Sequence, residues 1–163
     1  MKKHLFTLFL VGLVTFAACG CTNNSTTQTK PVPEQKAEIK ENPVISANMD
    51  FANKLESIFN KGYTIVDKTK VYYTKSADFQ NVYFVGTMTQ KGSQYYNAVW
   101  ATNCISDNTL DFSKGLIFSI NDYAYQVSGM GDGRTNAEPI TEHEDGYSRI
   151  NQKLLNDFDN LIK

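Results

Sequence analysis

Two side chains of this sequence could form a nucleophile and base. Cys104 supplies a thiol, and His143 is the sole histidine outside the first few residues, where His4 stands. A thiolate activated by an imidazole would attack a carbonyl, which is the chemistry of a cysteine hydrolase. The sequence around Cys104 carries no local cysteine-protease signature, and no Gly-x-Ser-x-Gly elbow occurs anywhere. With a single histidine left, sites that need two imidazoles are excluded, which removes most catalytic zinc arrangements. Asp122, Asp132 and Glu138 are the carboxylates that a hard cation such as Ca²⁺ could gather, although the EF-hand spacing is missing. Gly129-x-Gly131-x-Gly133 has the glycines of a phosphate cradle but no strand before it and no helix after it, so it reads as a turn. Catalytic use of Cys104 and His143 and metal binding by the three carboxylates therefore stand behind a simpler reading: a packed thiol, a surface imidazole and a polar loop. No cofactor is expected.

Tyrosine carries the positive signal. Nine tyrosines occur in the chain, and Tyr72, Tyr73, Tyr83, Tyr95 and Tyr96 fall with Trp100 on stretches that read as neighbouring strands. Period-two alternation places some of them on each face of a sheet. An aromatic, hydrogen-bonding sheet face suits a protein, peptide or glycan ligand. Tyr83, Tyr95 and Tyr96 are the expected binding residues, against the alternative that the rings fill the core and pair across strands.

The elements that would position these groups follow from periodicity. Ser46 or Asn48 caps a helix whose apolar positions are Phe51, Leu55, Ile58 and Phe59, with Gly62 as the stop. Tyr63–Val66 and Val71–Lys75 read as short strands. Asn81–Thr89 and Tyr95–Thr102 form a hairpin around Gly92. A loop through Asp107, Asn108 and Thr109 leads to the strand Gly115–Ile120, apolar enough to be central. Asn121 or Asp122 caps a short helix that Gly129 ends. Asp145 caps the last helix, with an apolar stripe of Tyr147, Ile150, Leu154, Leu155, Phe158, Leu161 and Ile162. The expected fold is α+β, an antiparallel sheet of three to five strands with an N-terminal and a C-terminal helix packed on one face.

From Asn81 onward the chain resembles a small uncharacterised domain of exported bacterial proteins. The residues that carry the resemblance are Asn81-Val82-Tyr83-Phe84-Val85, Val99-Trp100-Ala101-Thr102-Asn103, Phe118-Ser119-Ile120-Asn121 with Ala124, and Gly131-Asp132-Gly133. That group has no assigned activity, so the resemblance implies a fold rather than a function.

The first residues decide where such a domain works. Lys2 and Lys3 precede a mostly apolar run, Leu5–Phe16, and the small residues Ala17 and Ala18. This is the charged, apolar and small-residue order of a secretory signal, too short for a spanning helix of ~20 apolar residues. Phe16-Ala17-Ala18-Cys19 resembles the lipobox of bacterial lipoproteins, departing from it in having Phe16 where leucine is preferred. The resemblance implies a signal peptide over 1–18 and a diacylglyceryl group, with further acyl chains such as palmitate, on Cys19. Cys21 is the alternative acceptor, and an ordinary cleaved signal is the bland one. Residues 19–45 then form a tether, poor in aliphatics and without aromatics, that cannot bury enough surface to order itself. Residues 46–163 form one globular domain.

Charge narrows the partners. Sixteen basic and seventeen acidic side chains nearly cancel, with no basic run, which argues against nucleic acid. Acids outnumber bases about two to one from Cys104 onward. The expected role is a lipid-anchored binding module of the cell envelope, extracytoplasmic on the cell membrane or an outer membrane. An envelope hydrolase using Cys104 and His143, or a steric lipoprotein, are the alternatives.

Overall fold

The computed structural model describes residues 42–131 and 140–161. Cys19, Cys21, Asp132 and Glu138, together with the expected signal and nearly all of the tether, lie outside the described residues.

The fold is α+β, a mainly antiparallel sheet with three helices. In chain order, β1 (Ile45–Ser46) leads to α1 (Met49–Glu56), β2 (Thr64–Ile65) and β3 (Val71–Lys75). The long hairpin β4 (Tyr83–Lys91) and β5 (Gln94–Thr102) follows, then the two-residue strands β6 (Ile105–Ser106) and β7 (Thr109–Leu110). Last come β8 (Ile117–Ser119), α2 (Asp122–Ser128) and α3 (Asp145–Leu161). The main sheet runs β1-β3-β4-β5-β8, and β2 adds to the far end of β4. The hairpin register places Val85 opposite Trp100 and Lys91 opposite Gln94. A two-residue turn then closes at Gly92, whose φ of 62° is one that an L side chain rarely adopts.

Packing begins before the expected boundary at Ser46. The carbonyl of Asn42 accepts from the Arg149 guanidinium (2.8 Å) and from the Thr74 hydroxyl (3.2 Å), and Ile45 pairs with Tyr73. The chain is thus fastened to β3 and α3 at its first described residue.

The two terminal helices take opposite faces of the sheet, not one face as the sequence pattern led us to expect. Under α1 and α2, Phe51, Leu55, Val71, Tyr73, Val85, Ala98, Trp100 and Val127 form one cluster. Phe51 stacks on Tyr73 and Phe59 on Trp100. Under α3, Tyr72, Phe84, Val99, Ala101, Ile150 and Leu154 form the second cluster. Alternation is the physical reason: β3, β4 and β5 carry apolar residues at successive positions, so both faces need a cover. Gly86 and Gly146 let α3 approach closely. A Cβ at Gly86 would collide with Ile150, and one at Gly146 would collide with Phe84.

Other local readings shift. The strand at Ile117–Ser119 is an edge of the sheet rather than its centre. Ser119 donates its N–H to the Gly131 carbonyl (3.1 Å), and Leu116 is exposed. The segment read as a loop at Asp107–Asn108 is the turn of the β6–β7 hairpin, with φ of 48° and 56°. Asn48 caps α1 through the Phe51 N–H (2.8 Å) and also donates to the Asn108 carbonyl (3.0 Å), tying that hairpin to the helix. On α3, Ile150 and Leu154 are buried, Leu155 and Leu161 are exposed, and Ile162 lies outside the described residues. No helix among the described residues is long and apolar enough to cross a membrane.

Candidate binding groove

β8 covers only Trp100–Thr102 of β5. Toward the hairpin turn, the outer edge of β5 has no strand beside it among the described residues. Here α2 and α3, coming from the two faces, flank a groove of about 530 Å³. Its lining includes Asn97, Asn121, Asp122, Tyr123, Glu142 and Tyr147, with Asn151 and Leu155 completing the α3 side. An adjoining space of about 250 Å³ continues along Tyr95, Tyr123, Leu155 and Phe158.

Asn121 is the joint of this site. Its Oδ1 accepts from the Ala124 N–H (2.9 Å), which caps α2, and from the Val99 N–H (3.2 Å) of the β5 edge. Its Nδ2 donates to the Asn97 carbonyl (2.9 Å). One amide side chain thus caps a helix and extends the sheet by a pair of strand-like bonds. Gly129, at φ 67°, ends the same helix and donates its N–H to the Tyr125 carbonyl.

The groove walls are aromatic. Tyr123, half exposed, packs edge-on against Tyr96, with ring centroids 5.9 Å apart. Phe158 packs edge-on against Tyr95 at 6.2 Å. Tyr95 at 44%, Tyr123 at 50% and Leu155 at 42% exposure line one space and leave hydrophobic surface there open to solvent. Toward the α3 N-terminus the walls turn polar. Burial pushes the Tyr147 hydroxyl above the ordinary tyrosine range, the nearby Asn121 side chain opposes this, and the Glu142 carboxylate adds to it. Tyr147 therefore stays a neutral donor and acceptor through the physiological range. Asn97, Asn121 and Asn151 contribute further amide groups, and among the described residues no lysine or arginine lines either space.

The three tyrosines singled out from sequence do not share a surface. Tyr95 and Tyr96 are consecutive on β5 and so take opposite faces. Tyr95 meets α3, and Tyr96 meets Tyr63 and Tyr123 on the α2 side. The Tyr96 hydroxyl donates to Gln94 Oε1 (2.8 Å). Tyr83 is partly buried against the first cluster, edge-on to Tyr73 at 6.2 Å. Of the three, Tyr95 alone lines the groove. The residues that sequence reasoning missed here are Tyr123, Tyr147, Asn97 and Asn151, and the one available signal was the Asn121 cap that precedes Tyr123.

Cys104 is a free thiol, 2% exposed, in the cluster under α1 and α2. Its N–H donates to Thr102 Oγ1 (3.0 Å). His143 is exposed in the turn before α3, the helix of the other face, where its N–H donates to Thr141 Oγ1 (3.3 Å). The structure does not bring the two together as a nucleophile and base. Asp122 lies at the first turn of α2 and lines the groove, while Asp132 and Glu138 are outside the described residues. Among the described residues no group of three or more His, Cys, Asp or Glu is placed to hold a metal ion. Comparison with protein-family models, with curated proteins and with solved structures finds no match to this chain.

Proposed function

We propose that the chain is a lipid-anchored binding module of the cell envelope, without catalysis of its own, whose ligand lies in the groove between α2 and α3. The observation that carries this reading is the convergence at one exposed site of Tyr95, Tyr123, Leu155 and Phe158 with the amides of Asn97, Asn121 and Asn151. Ligand sites combine apolar walls with a few placed polar groups, and amphipathic aromatic rings give contact area at small entropic cost. Anchoring rests on the lipobox-like Phe16-Ala17-Ala18-Cys19, with Cys19 as the acylated residue and Cys21 as the alternative. Two or more acyl chains on one cysteine hold a protein on a bilayer, whereas one chain binds marginally.

Two measurements test this. Mass spectrometry of the mature product is expected to find acyl chains on an N-terminal Cys19; an unmodified, freely soluble N-terminus removes the anchor. Amide chemical-shift mapping with a panel of blocked peptides and N-acetylglucosamine oligosaccharides is expected to place perturbations at Asn97, Tyr123 and Asn151. The double variant Tyr123→Ala with Leu155→Ala is expected to weaken binding about tenfold or more. A panel that perturbs none of these residues removes the groove.

A further inference from the structure

The β5 edge presents main-chain groups that no strand among the described residues pairs. Asn121 accepts from the Val99 N–H and donates to the Asn97 carbonyl, and the Ile120 N–H donates to the Val99 carbonyl (3.0 Å). The main-chain groups of Val99 and the Asn97 carbonyl therefore point away from β4. Strand alternation gives residues two apart the same direction. The N–H of Asn97 and both main-chain groups of Tyr95 thus point outward as well. Among the described residues none of these three has a partner on that side. They line the groove between α2 and α3.

Resting on the groove reading above, we infer that the Tyr95–Asn97 edge accepts an extended peptide as an added strand. The added strand continues the pairing that Ile120 and the Asn121 side chain begin. Its residues alternate between the α2 wall at Tyr123 and the α3 wall at Tyr147, Leu155 and Phe158. Main-chain bonds supply affinity and the walls select side chains. The carboxylates of Asp122 and Glu142 are in the lining, which among the described residues holds no lysine or arginine. A peptide that alternates basic and apolar residues matches that lining. Pairing with a second copy of the same edge would instead set the two Asp122 and Glu142 pairs against each other, which like charges oppose.

The experiment uses the full chain, labelled with ¹⁵N, and the blocked heptapeptide Ac-KVKVKVK-NH2. Its controls are Ac-EVEVEVE-NH2 and the lysine peptide N-methylated at alternate residues. Saturation with the lysine peptide is expected to slow exchange of the Tyr95 and Asn97 amides about tenfold or more. Asn97→Pro removes an outward N–H without breaking a β4 bond, as edge strands tolerate, and is expected to weaken binding about fivefold or more. Asn97→Ala keeps the N–H and should bind more tightly than Asn97→Pro. Where Asn97→Pro does not fold, the N-methylated peptide decides: loss of its binding supports strand addition, and binding equal to the parent overturns it. Unchanged exchange at Tyr95 and Asn97, with shifts at Tyr123 and Asn151, overturns strand addition and leaves the groove reading intact. Tighter binding of the glutamate peptide overturns the charge match. Protection that rises with protein concentration without peptide overturns the peptide in favour of a second copy.

Discussion

Gly86 sits directly beneath Ile150, and the space between its backbone and the isoleucine γ-methyl is too small for a β-carbon. This contact sets how closely α3 lies on the sheet. Gly86→Ala is expected to destabilise the domain by about 1–3 kcal/mol through overpacking. Ile150→Ala, at a fully buried position, is expected to cost about 2–5 kcal/mol. The double variant should lose less than the sum, because the alanine at 150 frees the space the new methyl requires. Urea unfolding of the four proteins measures the coupling.

The Trp100 indole N–H donates to Ser128 Oγ (3.0 Å), which donates in turn to the Ala124 carbonyl (2.7 Å). Ser128→Ala strands a buried indole donor and is expected to cost about 1–3 kcal/mol. Trp100 is the single tryptophan in the sequence, so its fluorescence reports both the unfolding transition and the local change.

Replacing Asn121 by alanine removes a cap and the partners of two β5 main-chain groups. The expected loss is about 0.5–2 kcal/mol from the cap alone. The Val99 amide should exchange faster than its neighbours of the β4 ladder, which hydrogen exchange resolved by residue can read. A variant that keeps Val99 protected would show that α2 docks without this side chain.

Tyr72 donates to Asp157 Oδ2 (2.6 Å), and Lys153 lies over its ring at 4.7 Å. Burial first, and then the bond to Asp157, push its hydroxyl well above the ordinary tyrosine range. The folded state therefore holds this proton more tightly than the unfolded chain. The stabilisation is fully present below pH ~10, the unfolded value, and is lost as pH rises through the folded value. Ultraviolet titration should find a tyrosine that stays protonated above pH 10 until the protein unfolds. Tyr72→Phe should abolish that tyrosine's contribution and flatten the alkaline loss of stability.

The Cys104 thiol, buried beneath α1 and α2, should react with iodoacetamide only when the domain opens. Its modification, located by peptide mass spectrometry to separate it from Cys19 and Cys21, is expected to accelerate in parallel with urea unfolding. Rapid labelling of the native protein at Cys104 would return the thiol to consideration as a nucleophile.

Short-range chemistry was readable from the chain, and face-to-face assignments were not. Asn48, Asn121, Gly92 and Gly129 each mark a cap or turn through a local bond or a positive φ, so the helix starts and the central hairpin lie close to their expected places. Which helix covers which face depends on β4 and β5 being apolar on both sides, and alternation alone does not rank two apolar faces. The short strand Ile117–Ser119 looked central because it is apolar, yet an edge strand can be apolar when Gly131 and the clusters beside it provide its partners. The groove was invisible for a different reason. Its residues come from β5, the start of α2 and the start and middle of α3, segments that meet only after the sheet and both helix layers have formed. Tyr83 and Tyr96 share the tyrosine chemistry expected of binding residues, but their rings are engaged by Tyr73, Tyr63 and Tyr123.

The leading segment joins the sheet at β1, and the β5 groove opens toward the opposite margin. Tension drawn through Asn42 would be borne first by Arg149, Thr74 and the two-residue β1 ladder. Because Arg149 stands on α3 between Tyr147 and Asn151 of the groove wall, such a load would reach the groove through this helix before it parted the interior strands.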